Sequence, residues 1–314
     1  MPTLTGVVVV TFGIMLLLPG DPALVLLGQD AGADQVAELR RQLSLDDPWF
    51  TRLGRYFGDL LHGDLGTSIF QAQPVTEAIG ARLGATLEVA TVALVVALVL
   101  GLGLGTLAAL RKGTVVDTLA MLFAQVGVSM PVFWLGILLM LLFAVRLDWL
   151  PAIGRGAPLL PALMQALGGR PAPFLDSLAH LVLPALTLGL NGAAVISRLV
   201  RATMLETLGQ DYVRTARAKG LPPWRVVWVH ALRNALLPTV SVVGLRFGAL
   251  LGGAVLTESI FGWPGLGQLA VTAVSQRDIP LLQGIVLTFA LMFALVNLAV
   301  DLTYGVIDPR VRIE

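Results

Sequence analysis

Most of the usual carriers of chemistry are missing from these 314 residues. The chain has no Cys, so it offers no thiolate nucleophile, disulfide or thiolate metal site. His62, His180 and His230 are its only histidines, and no HExxH pair exists to hold a hydrolytic zinc. Ser129, Ser197 and Ser241 lie in or near apolar runs, without a GxSxG elbow or an intramembrane Asp pair. Lys112 and Lys219 are the only lysines; neither follows Gly or precedes Ser or Thr, so a Walker A loop is absent. No catalytic residue and no metal ligand is assigned.

What remains is a concentration of positive charge. Arg198, Arg201, Arg214, Arg217, Lys219, Arg225 and Arg233 stand against Glu206 and Asp211, leaving five net positive charges between residues 198 and 233. Within this stretch Leu205, Leu208, Tyr212 and Ala216 recur at helical spacing. Gly220 ends that helix, since Gly tolerates the left-handed conformation of a C-terminal cap. Leu221-Pro222-Pro223 follows, and Pro suits the first turn of a second helix. Trp224, Trp228 and Leu232 form an i, i+4, i+8 stripe on that helix. The spacing predicts a helix-turn-helix elbow over residues 201–235. It reads either as an amphipathic connector on anionic headgroups or as a docking surface for a soluble partner.

The elements that carry this elbow are apolar. Hydrophobic residues make up 56% of the chain and charged ones 13%, about half the charge of a soluble domain. Six spans are expected, at 3–18, 85–110, 117–145, 178–200, 236–259 and 283–303. The first has sixteen residues, no basic flank and no small-residue cleavage site, so it reads as a span whose natural start lies further upstream rather than as a signal peptide. Residues 1–19 form the first transmembrane segment and 20–84 an external loop, net −4 from residue 21 onward. Residues 85–314 form the main transmembrane domain. A short helix is expected at 35–43, a kink at Pro131, and an interruption at Pro184. The 146–177 loop carries five prolines, too many for a span. Within Gly101-x-Gly103-x-Gly105 the pair Gly101 and Gly105 reads as close helix packing, as does the groove of Gly244, Gly248 and Gly252. The basic turn Arg111-Lys112 and the elbow lie on one side, which is then cytoplasmic together with both termini. Gln125, Asn191, Arg246 and Asn297 are polar residues within spans, which usually face a bundle interior or water. Gln125, Asn191 and Asn297 can also simply bond neighbouring helices. Arg246 either lines a path or pairs with a partner-subunit carboxylate. Asp301, nearer a helix end, reads as an interfacial acid.

The run YVRTARAKGLPPWRVVWVHALRNALLP resembles the coupling loop of ABC importer permeases of the dipeptide/oligopeptide family. The general loop has Glu-Ala-Ala, three residues, Gly, nine residues and Ile-x-Leu-Pro. Here Arg214-Thr215-Ala216 replaces the first triplet. From Gly220 the count reaches His230 in place of Ile, Leu232 in register, and Arg233 in place of Pro. These departures resemble the peptide branch, as do GDLGTS at 63–68, ESIFGWPGLGQL at 258–269 and the DPRVRIE tail. The resemblance implies an all-α integral membrane protein of six transmembrane helices with a cytoplasmic coupling helix-turn-helix. It implies a bacterial inner-membrane permease that forms half of a path for dipeptides, oligopeptides, glutathione or a nickel chelate. Its partners would be a second homologous permease, two ABC ATPases, an external solute-binding protein and the bilayer. No nucleic acid is expected, and no cofactor on this chain; ATP and Mg belong to the ATPases. Tyr212, Arg214, Thr215, Ala216, Arg217, Ala218, Lys219, Gly220 and Leu221 would couple to them. Arg246, Asn191 and Gln125 are the candidates for the path.

Overall fold

The structure, a computed structural model, describes residues 2–17, 23, 27, 32–42 and 46–307. The turn at 19–22 and the DPRVRIE tail lie outside the described residues, as do the side chains of Arg246 and Asp301. Every regular element described is helical; one isolated bridge joins Thr67 and Pro74. In chain order these are α1 (Pro2–Leu17), α2 (Ala33–Gln42), α3 (Trp49–Leu61), α4 (Val75–Leu110), α5 (Val115–Ser129) and α6 (Val132–Leu139). A π-helical stretch, Met140–Arg146, continues α6. Then come α7 (Leu159–Leu167), α8 (Ala172–Leu208), α9 (Asp211–Ala218), α10 (Pro223–Arg225), α11 (Leu232–Ile260), α12 (Leu266–Gln276) and α13 (Ile279–Ile307).

A helix overlies each of the six expected spans. Among the described residues three are long and apolar enough to cross a bilayer alone: α4, α8 and residues Ile279–Val300 of α13. α5 and α6 reach that length only together, bent by 109°, so the Pro131 site is a break rather than a kink. The cause is local: Met130, preceding Pro131, adopts ψ 128 instead of a helical angle, because the proline ring clashes with a helical neighbour. Pro184 does the opposite of what the sequence suggests. It lies buried inside an unbroken α8, where surrounding helices sustain the turn that lacks its hydrogen bond. The proline-rich 146–177 segment contains α7, and α8 already begins at Ala172.

The chain divides into two compact units, one of Met1–Gly84 with Gly265–Met292, the other of Ala85–Pro264 with Phe293–Glu314. The second unit is built around α8, which packs against α5, α6, α7 and α11. Leu181, Ala185 and Leu188 of α8 share one core with Val89 and Ala93 of α4, Ala254 of α11 and Trp263. Further along, Ile196, Val200 and Met204 share another with Ala97, Ala109, Leu232 and Ala235. Small residues allow these approaches. A side chain at Gly101 would meet Ile196 at 2.7 Å, and one at Gly105 would meet the Ser197 carbonyl at 2.6 Å. Gly103, on the opposite face, touches nothing. Gly244 lies against Val300 and Gly248 against the Phe293 ring, while Gly252 is open, so two of the three groove glycines receive another helix.

In the first unit, α2 carries Asp34 in its first turn and Arg40 and Arg41 in its last, matching the helix dipole at both ends. The GDLGTS run is a folded turn. Asp64 accepts the Gly66 N–H at 2.8 Å, and Ser68 donates to the carboxylate of Asp278 at 2.5 Å.

Candidate coupling elbow

The stretch expected as one helix from Leu205 to Lys219 is two. α8 ends at Leu208, Gly209 and Gln210 form the joint, and Gln210 turns extended before α9 starts. The break ends α8 before α9 begins, while Leu208 still packs against α9. At 37 residues α8 extends about 55 Å at 1.5 Å per residue, against a hydrocarbon core of roughly 30 Å. α8 is therefore longer than a single crossing needs.

α9 buries one narrow face. Val213 and Ala216, one turn apart, pack with Val226, Leu208 and Leu221. Tyr212, Arg214, Thr215, Arg217, Ala218 and Lys219 face outward and are exposed. The C-terminus closes as Gly220 takes φ +74. The Gly220 N–H donates to Arg217 O at 2.9 Å and the Leu221 N–H to Ala216 O at 3.3 Å. This paired 5→2 and 6→1 arrangement is the Schellman cap, and the Leu221–Ala216 apolar contact accompanies it. Pro222 then runs extended and Pro223 opens α10.

The second arm departs from the simple stripe. A π-helical turn, Val226–Ala231, follows α10 and leads directly into α11. An inserted π turn shifts the side-chain register by about one residue, so Trp224, Trp228 and Leu232 do not share a face. Leu232 is in the core, whereas Trp224 is 59% exposed and Trp228 57%. The Arg225 guanidinium lies 5.4 Å from the Trp224 ring. The two arms are tied by polar contacts: Asn234 Nδ2 donates to the Tyr212 hydroxyl at 2.7 Å and to His230 O at 3.4 Å. In the run from Tyr212 to Leu221, Val213, Ala216 and Leu221 thus supply the seat and the others the exposed face.

A clamp that sequence reading missed holds the root of this elbow. Arg201 donates Nε to Asp117 Oδ1 at 2.5 Å and Nη2 to Oδ2 at 2.7 Å. Asp117 also accepts the Gly113 N–H at 3.0 Å, gathering the Arg111-Lys112 turn to α8. An acid in the first helical turn after a basic turn was the available signal, although it names no partner.

The path candidates occupy separate positions. Asn191 donates from α8 to Gly127 O of α5 at 3.1 Å, an interhelical tie. Gln125 is exposed and reaches Ser129 Oγ at 3.5 Å. Among the described residues no group of three or more His, Cys, Asp or Glu could hold a metal ion.

At the other end of the second unit, Trp263 of the GWPGLG loop is enclosed and donates Nε1 to Ala85 O at 2.9 Å. Arg155 pairs with Glu88 and lies 5.6 Å from the Trp263 ring. Glu88 also accepts the Leu159 N–H at 3.1 Å, and the buried Glu258 accepts from Thr86 at 2.7 Å. These acids were absent from the sequence-derived candidates because each has a partner far away in the chain.

The family described as the binding-protein-dependent transport system inner membrane component matches residues 101–313. The chain is 44% identical over 323 residues to the dipeptide transport system permease protein DppB of Escherichia coli (strain K12), covering 99% of this chain and 95% of that protein. It is 42% identical over 319 residues to the DppB of Alkalihalophilus pseudofirmus, covering 99% and 96%. Identity is also 42% over 311 residues to the glutathione transport system permease protein GsiC of Salmonella typhimurium, covering 99% and 95%. In fold it is similar to a chain of the inward-facing MetNI methionine ABC transporter, with a TM-score of 0.58 at 18% identity over 74% of this chain and 96% of that one.

Proposed function

This chain belongs to the family of binding-protein-dependent transport system inner membrane components, and on that premise we propose that it forms half of an ATP-driven import path for dipeptides, oligopeptides or a related small solute such as glutathione or a nickel chelate. It is a permease subunit and not an enzyme. A second homologous permease would complete the path. Two ATPase subunits would carry ATP and Mg, and an external binding protein would deliver the solute. The elbow faces the cytoplasm in this reading, as do both termini, and the 20–84 segment and the GWPGLG loop face outward.

The observation that carries the coupling role is the division of labour in α9. Val213 and Ala216 anchor it, the Gly220 cap sets its direction, and a cationic face of Arg214, Arg217 and Lys219 is left for a partner. A short helix seated on a small apolar contact transmits a push along its length to both α8 and α11. The solute path runs beside Arg246, Asn191 and Gln125, with selection resting largely on the binding protein.

Because the chain has no Cys, single cysteines report cleanly. Arg217→Cys carrying a benzophenone should cross-link to the ATPase in the assembled transporter; cross-linking to lipid alone would leave the elbow as a membrane-surface connector. In intact cells an impermeant maleimide should label Thr51→Cys and spare Gln210→Cys, and the reverse pattern overturns the sidedness. Thermal shifts of the cognate binding protein with dipeptides, glutathione and nickel chelates would assign the solute.

A further inference from the structure

Among the described helices α3 is the most amphipathic, and its apolar face is unfinished. At 100° per residue, Trp49, Phe50, Leu53, Tyr56, Phe57 and Leu60 of WFTRLGRYFGDLL fall within an arc of roughly 120°. Thr51, Arg55, Gly58 and Asp59 lie opposite. None of the thirteen residues of α3 is buried. Trp49 is 59% exposed, Phe50 62% and Leu61, at the edge of the same arc, 86%.

The depth of α3 follows from its neighbour within the same unit. The Tyr56 ring lies 6.3 Å from the ring of Phe12, and the Arg52 guanidinium is 6.0 Å from that ring. Phe12 belongs to α1, five residues before its end at Leu17, hence about 7–8 Å along the axis. If the end of α1 marks the membrane boundary, that spacing matches the roughly 5–10 Å to which interfacial helices bury an apolar face. α1 is itself apolar and exposes Val9 and Val10, so the bare face of α3 adjoins a second exposed apolar surface in the same unit. Trp and Tyr are the residues enriched at this boundary. The charges argue for apolar attachment rather than attraction to anionic lipid, because Arg55 is paired with Asp47 at 2.8 Å and Asp59 lies on the same polar face.

We propose that α3 is an interfacial helix whose exposed Trp49, Phe50 and Leu61 rest in the outer-leaflet boundary of the bilayer, anchoring the 20–84 segment to the membrane. The assignment to the outer leaflet rests on the sidedness proposed above; the contact with lipid does not.

The test uses the assembled transporter in vesicles of phosphatidylcholine, alone or with phosphatidylglycerol. Nitroxides are placed singly at Phe50→Cys, Leu61→Cys and Thr51→Cys, and their collisions with oxygen and with a water-soluble nickel chelate are compared. Positions 50 and 61 should favour oxygen several-fold more than position 51, equally in both lipids. Equal access to nickel at all three positions would show a bare face, and shielding from both reagents at 50 and 61 would show a protein cover, such as the second permease. Loss of access only on adding the binding protein would make α3 its docking site. Each of these three results overturns the proposal. Maleimide labelling of Thr51→Cys in intact cells scores the sidedness separately, so an inverted topology leaves the lipid contact standing.

Discussion

Arg201 and Asp117 meet side by side, with two guanidinium nitrogens each donating to one carboxylate oxygen. Arg201 lies two turns before the end of α8, and Asp117 lies in the first turn of α5. The pair therefore welds the root of the elbow to the helix that begins beside it. Arg201→Lys keeps the charge but loses the planar fork, so it is not conservative here. Asp117→Asn leaves the guanidinium short of an anion. Both should lower uptake several-fold while ATP hydrolysis persists, a loss of coupling rather than of assembly. Exchanging the two residues should recover part of the transport per ATP, since the ion pair is restored. Uptake and hydrolysis measured together in proteoliposomes decide it; unchanged transport per ATP in Arg201→Lys would remove the clamp from the coupling path.

Gly220 offers a cleaner separation of backbone from packing. A Cβ there would meet nothing within 4 Å, so the only cost of a side chain is its φ of +74. Gly220→Val should cost on the order of 1–3 kcal/mol locally, while Gly220→Asn, which tolerates the left-handed region, should cost less. The core helices do not depend on this turn. Membrane levels should stay normal in Gly220→Val, uptake should be lost, and ATP hydrolysis should stop responding to loaded binding protein. Arg217→Ala, which trims one exposed charge, should be milder. Full solute-stimulated hydrolysis in Gly220→Val would reduce the elbow to a connector.

The glycines of α4 test whether its approach to α8 is obligatory. A Cβ at Gly105 would lie 2.6 Å from the Ser197 carbonyl and 2.8 Å from Val200, so backbone must move. Gly105→Ala should destabilise by about 1–3 kcal/mol through overpacking. Gly103 is open, and Gly103→Ala should be neutral or stabilising by up to about 1 kcal/mol, from helix propensity. Thermal unfolding of the purified complex in detergent would compare them; equal midpoints would mean that the two helices part easily.

The contrast between these glycines also shows what was legible in the sequence. Apolar run length placed a helix at each expected span, because apolar runs in a membrane leave the backbone no other choice. Gly220 was legible because a Gly-Leu-Pro-Pro sequence has few conformations available. Pro184 was not, since a buried proline is tolerated when neighbouring helices hold the turn. The π turn at Val226–Ala231 was likewise hidden: composition carries no mark of a one-residue register slip, and the Trp224–Trp228 stripe does not continue to the buried Leu232. Asp117, Glu88, Glu258 and Asp278 were passed over for a different reason. Their partners lie from 67 to 210 residues away along the chain, and a pairwise contact at that distance leaves no local pattern.

Asp278 is the sharpest of these cases. It is fully buried, and its two oxygens serve three donors: the Ser68 hydroxyl at 2.5 Å, the Phe70 N–H at 3.2 Å and the Leu281 N–H at 3.2 Å. The GDLGTS turn and the start of α13 are thereby fixed to one carboxylate. Ser68→Ala removes a bond to that group and should cost about 1.5–3 kcal/mol. Asp278→Asn should cost more. An amide has only one acceptor oxygen, so its NH2 must face an N–H or hydroxyl donor that a carboxylate oxygen had satisfied. Once Asp278 is replaced, Ser68→Ala should add little, because the partner it addressed is gone. Thermal unfolding and limited proteolysis of the 46–84 segment would follow all three variants. A double variant whose loss equals the sum of the two singles would show that Ser68 and Asp278 act independently, and that the turn is held by its own backbone instead.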